Sequence, residues 1–193
     1  MKKLLIAMTL TLTSLTTLAH DDGKVSIAKV AELAAHRIDR LVTLGKIDAG
    51  FLKNLETIQV SKVTNSEPVA FRSLASQTAP ASGLPLQIEI LSDHDGKTLS
   101  FKIIPDGSAG ADPKWTDKDA GSLIENGMHY VLENNTLTAV APYDTNFESM
   151  RLTKGKLNDQ DVALLSIKSS SQAQQLNIYL KLDGTFITTT VTP

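Results

Sequence analysis

One amphipathic stretch near the start of the chain constrains the fold more than any other feature. In residues 26–45, apolar side chains recur at three- and four-residue steps, and charged side chains cover the opposite side. Ser26 can cap the first turn, and Gly45 offers the left-handed conformation that commonly ends a helix. Such a helix must bury its apolar stripe against another layer of structure. We therefore expect a sheet that receives it.

The segments after this helix alternate apolar and polar residues, as strands with one buried face do. The clearest hairpin joins residues 86–90 to residues 99–103 through a turn at residues 93–96. Asp183-Gly184 is a strong two-residue hairpin signal near the end of the chain. A short helix or an ordered loop is expected at residues 46–55, and a surface loop at residues 75–83. Further strands are predicted at residues 57–63, 69–74, 137–141, 147–153, 162–168, 176–182 and 185–191.

The second half of the chain repeats the order of the first. A second apolar stripe covers residues 120–132, with Thr116 as its cap and Asp119 three residues on. Gly127 interrupts this stripe and costs about 1 kcal/mol relative to alanine. Strand-like segments follow, and each half closes with a hairpin whose turn contains Asp-Gly. A helix followed by strands, twice, suggests an internal duplication.

The pattern predicts an α+β protein with helices packed on an antiparallel β-sheet. Two units are expected, at residues 20–110 and 111–193, with the boundary in the Pro- and Gly-containing stretch 105–113. A single α+β domain with an insertion is the alternative. In either case the apolar positions of helices and strands should form the core. The predicted core residues are Val30, Ala34, Ile38, Leu41, Ile88, Phe101, Leu123, Ile124, Leu164, Ile178 and Leu180.

Residues 1–19 have the composition of a secretory signal peptide. Lys2 and Lys3 precede an apolar run, and small residues stand three before and immediately before a cut after Ala19. The apolar run is too short for a bilayer, which takes about 20 residues. We predict cleavage after Ala19, a periplasmic or secreted location, and no membrane span in the mature chain.

Charge and cysteine content exclude several classes of protein. The chain has 19 basic and 21 acidic side chains, a formal charge of −2 at pH 7, and a leader would remove two of the lysines. A mildly acidic surface of mixed sign argues against nucleic acid as a partner. The sequence contains no cysteine, so it has neither disulfides nor a thiol nucleophile. Its core alone must hold the fold.

The candidate metal ligand is His20, which would become the mature N-terminus. Its α-amine and imidazole can together chelate Cu(II), a metal that favours nitrogen ligands. His36, His94 and His129 are the histidines that could complete such a site, but they are single and widely spaced. The sequence around His94 lacks the third acid and the distant Glu of a calcium loop and is typical of a turn.

No motif supports catalysis. Residues 169–171 are three serines with no base placed by a recognisable pattern, and no Gly-x-Ser-x-Gly occurs. The single tryptophan, Trp115, is expected to pack near the second helix. We therefore predict a protein that is not an enzyme and that uses no cofactor.

Three segments resemble small exported PepSY-like proteins: residues 37–48, the hairpin at residues 86–103, and the closing hairpin at residues 176–187. The resemblance implies a helix packed on an antiparallel sheet with an Asp-Gly turn near its end. Because this chain is about twice the length of one such unit, the resemblance implies either a tandem pair or one unit with a large insertion. It also implies an exported, non-enzymatic module, in some relatives inhibitory toward peptidases or associated with metal handling, and it transfers no catalytic residue.

The functional expectation combines these observations. We predict an exported, non-enzymatic binding or inhibitory module that recognises a protein or peptide partner through one exposed sheet face or edge. The alternative is a periplasmic metal-binding accessory protein that uses His20. The sequence does not determine the oligomeric state.

Overall fold

The computed structural model describes residues 25–77, 87–104, 115 and 118–193. The helices are α1 (Ile27–Thr43), α2 (Gly50–Asn54), α3 (Ala120–Glu133) and α4 (Ala141–Thr145). The strands are β1 (Leu55–Lys62), β2 (Phe71–Gln77), β3 (Gln87–Ser92), β4 (Thr98–Ile104), β5 (Phe147–Leu157), β6 (Gln160–Ser169), β7 (Gln175–Leu180) and β8 (Phe186–Thr192). The predicted class, α+β with helices on an antiparallel sheet, is confirmed.

All eight strands belong to one sheet, in the order β4-β3-β2-β1-β5-β6-β7-β8, and every neighbouring pair is antiparallel. The first four strands form one half of the sheet and the last four form the other. They meet where β1 pairs with β5, with Ile58 opposite Met150. The two halves of the chain therefore share a continuous sheet.

The strand pairing is irregular at equivalent positions in the two halves of the sheet. Leu55 lies opposite Gln77 in the first half and Phe147 lies opposite Ser169 in the second, and a strand irregularity follows immediately in both places. The pairs β3–β4 and β7–β8 each have an irregularity one residue before the end of the inner strand. The predicted boundary between two units, residues 105–113, lies outside the described part of the chain. The division into domains therefore stays a prediction.

One hydrophobic core lies between the helices and a single face of the sheet. The stripe of α1 is buried as predicted, and Ile38 is fully buried. Ile124 of α3 is fully buried as well. The Ser26 hydroxyl accepts a hydrogen bond from the Lys29 backbone N–H at 3.2 Å, which confirms the predicted cap. None of the helices in the described part is long and apolar enough to cross a membrane.

Two predicted core residues are wrong. Phe101 is 37% exposed because it lies on β4, the edge strand, beyond the cover of the helices. Leu164 is only half-buried because β6 turns its neighbours Ala163 and Leu165 toward the core. Side chains alternate along a strand, so Leu164 points to the opposite face.

Some predicted element boundaries are also wrong. Residues 137–141 form turns that lead into α4 rather than a strand. Pro142 explains the difference because it lacks an N–H for a strand ladder and its fixed φ suits the first turn of a helix. Helix α3 begins at Ala120, and its cap is Asp119, which accepts a hydrogen bond from the Ser122 N–H at 2.9 Å. Strand β2 runs on to Gln77, where a loop was expected.

Gly127 lets α3 approach the sheet. A Cβ at this position would overlap the Cδ2 atom of the fully buried Leu165, so the Leu165 side chain would have to move within the core. Gly127→Ala gains about 1 kcal/mol in helix propensity, but overpacking of a core typically costs about 1 to 3 kcal/mol. We expect a net loss of stability, measured by denaturant unfolding.

A double-mutant cycle tests the cause of that loss. Leu165→Val removes the overlapping methyl group, so Gly127→Ala should be better tolerated in the Leu165→Val background. Equal costs in both backgrounds would show that the contact with Leu165 is not responsible.

Candidate protein-interaction face

The face of the sheet that points away from the helices, here called the outer face, is largely polar. Its residues alternate along each strand with those of the core and are aligned across the sheet by the strand register. Its polar residues include Thr57, Gln59, Ser61, Arg72, Ser76, Glu89, Ser149, Arg151, Thr153, Ser166, Lys168, Asn177, Thr188, Thr190 and Thr192. Among the described helices, each buries residues in the single core on the other side.

An ion pair lies where the two halves of the sheet meet. The Arg151 Nε donates to the Glu56 Oε1 at 2.7 Å, and the Arg151 Nη2 contacts the same oxygen. The Glu56 side chain is 9% exposed, whereas that of Arg151 is 64% exposed. The carboxylate is thus sequestered and the guanidinium is held at the surface. A cation fixed in this way can meet a partner with little further loss of side-chain freedom.

A chain of hydrogen bonds crosses the second half of the outer face. The Ser166 hydroxyl donates to the Asn177 Oδ1 at 2.7 Å, and the Asn177 Nδ2 donates to the Thr192 Oγ1 at 2.7 Å. Asn177 is buried although it faces away from the core. This chain of hydrogen bonds links β6, β7 and β8 and orders the polar side chains of the outer face.

Apolar side chains, including Leu74 in the first half, interrupt the polar surface in both halves of the sheet. Leu164 lies opposite Tyr179, and both are half-buried. Val162, next along β6, is buried but does not belong to the main core. In the first half, Arg72 pairs with Glu89 across the strands. The outer face therefore combines fixed charges, hydroxyls and an apolar patch.

A shallow cavity of about 300 Å³ lies at one end of the second half. Its walls come from β5, β6, β7 and the segment that joins β6 to β7. The lining residues are Glu148, Lys168, Ser169, Gln172, Ala173, Gln174, Gln175 and Pro193. The Ser169 hydroxyl is engaged, since it donates to the Pro142 carbonyl at 2.8 Å. The serine cluster at residues 169–171 is thus held in place through Ser169.

The predicted metal ligand His20 lies outside the described residues. The other histidines are separated, and each lies beside a different glutamate: His36 Nδ1 is 3.2 Å from a carboxylate oxygen of Glu125, and His94 Nε2 is 3.0 Å from one of Glu67. His129 Nε2 is 2.9 Å from a Glu133 oxygen. Within the described part of the chain, no group of three or more potential ligands is placed to hold a metal ion.

His36 pairs across the helix interface with Glu125 of α3. Glu32, one turn earlier than His36 on α1, is buried, pairs with Lys29 and lies 4.0 Å from the Nδ1 atom of His129. Burial raises the pKa of Glu125 because it disfavours the charged carboxylate; His36 acts against this rise, and Asp39, Asp119 and Glu32 add to it. The seam between α1 and α3 is thus a polar contact at the edge of the core.

Two other sequence features have structural roles. The Asp93 carboxylate accepts hydrogen bonds from the backbone N–H groups of Asp95 and Lys97, at 3.0 and 2.9 Å. This is a turn, as the sequence indicated. Trp115 is buried, and its backbone N–H donates to the Lys53 carbonyl at 3.3 Å.

Sequence reasoning missed the ion pair of the outer face. Glu56 and Arg151 are 95 residues apart, and neither belongs to a recognisable motif. Arg151 stands between the apolar residues Met150 and Leu152. This alternation predicts that Arg151 faces solvent, but it does not predict a partner for the guanidinium. Only the pairing of β1 with β5 brings it beside Glu56.

The chain was compared with known proteins. No protein-family model matches it, and no curated protein matches it. Among solved structures it is similar to one described as "a putative lipoprotein" from Clostridium difficile 630. The sequence identity is 12%, the match covers 90% of this chain and 97% of that one, and the TM-score is 0.34.

Proposed function

We propose that this chain is an exported, non-enzymatic binding or inhibitory module that recognises a protein or peptide partner with the outer face of its sheet. The observation that supports this most is the one-sided packing of the fold. In the described residues, the core takes side chains from the helices and from one face of an eight-stranded sheet, and the other face, which is mostly polar with an apolar patch, carries no helix.

The dimensions of the outer face suit a macromolecule better than a small ligand. Eight strands at about 4.8 Å spacing give a surface roughly 35 Å across. A standard protein interface takes about 800 Å² from each partner, which such a surface can supply. By contrast, small-molecule sites are concave and mostly apolar.

Arg151 is the proposed anchor of this face. Arginine is enriched among residues that dominate binding energy, particularly near the centre of an interface. Arg151 stands at the junction of the two half-sheets, exposed and oriented by Glu56. Leu164 and Tyr179 offer an apolar contact in the same half.

We further propose that the two halves are tandem PepSY-like units, each with two helices and four strands. The matched registers of the two half-sheets support this proposal. The leader-like residues 1–19 support export, with cleavage after Ala19. The metal-binding alternative through His20 stays a prediction, since no arrangement in the described residues favours it.

Site-specific photo-crosslinking tests the outer face. A photoreactive amino acid replaces Gln59 on the outer face, and the matched control carries it at Arg40 on the exposed side of α1. In cells that export the protein, we expect a protein adduct from position 59 and none from position 40. Adducts from position 40 alone would show that the wrong face has been chosen.

Calorimetry with the purified crosslinked partner then measures the role of Arg151. Arg151→Ala should weaken binding at least about 30-fold, the loss expected for an interface anchor worth about 2 kcal/mol. Arg40→Ala, the same change on the helix side, should leave affinity within about twofold. Equal affinities for all three proteins would contradict the proposal.

A further inference from the structure

The edge of the sheet at β4 presents an apolar strip. In the described part of the chain, β4 pairs with β3 on one side and has no strand on the other. Leu99, Phe101 and Ile103 alternate along it and are 41%, 37% and 37% exposed. Phe101 and Ile103 lie opposite the buried Ile90 and Ile88, so they stand on the helix side of the sheet.

The helices stop short of this strip. Helix α1 packs chiefly over β1 and β2. Its Arg37 side chain reaches the strip, with the guanidinium carbon 5.8 Å from the centre of the Phe101 ring. An apolar edge strand with unpaired backbone groups is a ready template for another strand.

Two cations lie near this edge: Arg37 on the helix side, and Lys102 on the outer side, opposite Glu89. The Nε of Arg37 is buried and has no hydrogen-bond partner, and no ion pair of Arg37 is found among the described residues. Lys102 is the only charged residue of β4, and it is exposed on the outer side. A strand added beside β4 would therefore have a cation on each of its two sides.

We propose that the β4 edge binds an extended peptide segment of a partner protein, in which apolar residues alternate with acidic ones. The segment extends the sheet by one strand: its backbone pairs with β4, its apolar side chains cover Phe101 and Ile103 on the helix side, and its carboxylates meet Lys102 on the outer side. This edge is separate from the outer face, and the proposal holds whether or not Arg151 anchors a partner there.

Charge favours such a segment over a second copy of this chain. Pairing of β4 with β4 of a second copy would bring the Lys102 cations of both copies to one seam without a carboxylate, because Lys102 is the only charged residue of β4. The other edge strand, β8, carries no charged residue that would neutralise them.

Strand β8 provides a matched control. Val191 pairs with Leu176 as Ile103 pairs with Ile88, and it is 40% exposed on the opposite edge of the sheet. Ile103→Ser and Val191→Ser are therefore the same kind of change at equivalent positions of two edges.

The test uses a fluorescent, end-capped heptapeptide that alternates Glu with Val, and a counterpart with Lys in place of Glu. Fluorescence anisotropy should show binding of the acidic peptide, at least tenfold weaker binding by Ile103→Ser and by Lys102→Glu, and no binding of the basic peptide. Val191→Ser and Arg151→Ala should bind within about twofold of the unmodified protein. Amide hydrogen exchange should slow in β4 when the acidic peptide binds.

Several outcomes would overturn the proposal. In the binding measurements, these outcomes are no binding of the acidic peptide at 1 mM, or equal affinity for the acidic and basic peptides. Equal losses of affinity in Ile103→Ser and Val191→Ser, or slower hydrogen exchange in β8 rather than in β4, would also contradict it. Loss of binding in Arg151→Ala alone would show that the peptide binds the outer face instead of the β4 edge. Sedimentation that shows dimers joined through β4 would assign the edge to a second copy. Unfolding midpoints of all variants are measured so that a folding defect is recognised.

Discussion

Ile38→Ala is expected to lower the free energy of unfolding by about 2 to 5 kcal/mol, the range for truncation of a large buried side chain. Ile38 is fully buried on the stripe of α1. Its truncation removes apolar contacts and leaves a cavity that close-packed neighbours fill only in part. Urea denaturation followed by circular dichroism measures the change.

The control for this variant lies on the same helix. Arg40 is exposed on the other side of α1, so Arg40→Ala should change stability by no more than about 0.5 kcal/mol. An Ile38→Ala protein with an unchanged midpoint would mean that α1 does not bury this face.

Ile58→Ala is expected to cost about 2 to 5 kcal/mol as well, and to destabilise both halves of the chain together. Ile58 is fully buried on β1, opposite Met150 of β5, at the junction of the two half-sheets. Because one core cluster includes residues from both halves, the variant should still unfold in a single transition. Trp115 fluorescence and far-UV circular dichroism should give coincident curves.

The neighbouring residue provides the comparison for Ile58. Gln59 is exposed on the outer face, and Gln59→Ala should leave the midpoint close to that of the unmodified protein. Two separated transitions in Ile58→Ala would contradict a shared core and would favour two units that fold independently.

The two long helices and most strands were predictable because their signals are local. The stripe of α1, its Ser26 cap and the turn at Gly96 depend on spacing and on residues that suit particular backbone conformations. Gly96 has φ of +75°, a conformation that glycine adopts without strain. The strand expected at residues 137–141 was wrong because short apolar runs do not distinguish strand from turn. Pro142 favours the first turn of helix α4 at this place.

The exposure of Phe101 illustrates the limit of a pattern. Alternation placed Phe101 on the apolar side of its strand, and that side does face the helices. Whether an apolar side is covered depends on where the strand lies in the sheet, and β4 lies at the edge. Strand order is a long-range property, so the sequence pattern predicted the face of Phe101 correctly and its burial wrongly.

The sequence by itself determined the α+β class, the stripes of both long helices and the alternation that gives the sheet two chemically different faces. The tertiary structure decided the order of the eight strands, the meeting of Glu56 with Arg151, the edge position of β4 and the separation of the histidines. The physical reason is the range of the interactions. Helix and strand periods arise from neighbours a few residues apart, whereas the surfaces proposed to bind partners are assembled by pairings between residues far apart in the chain.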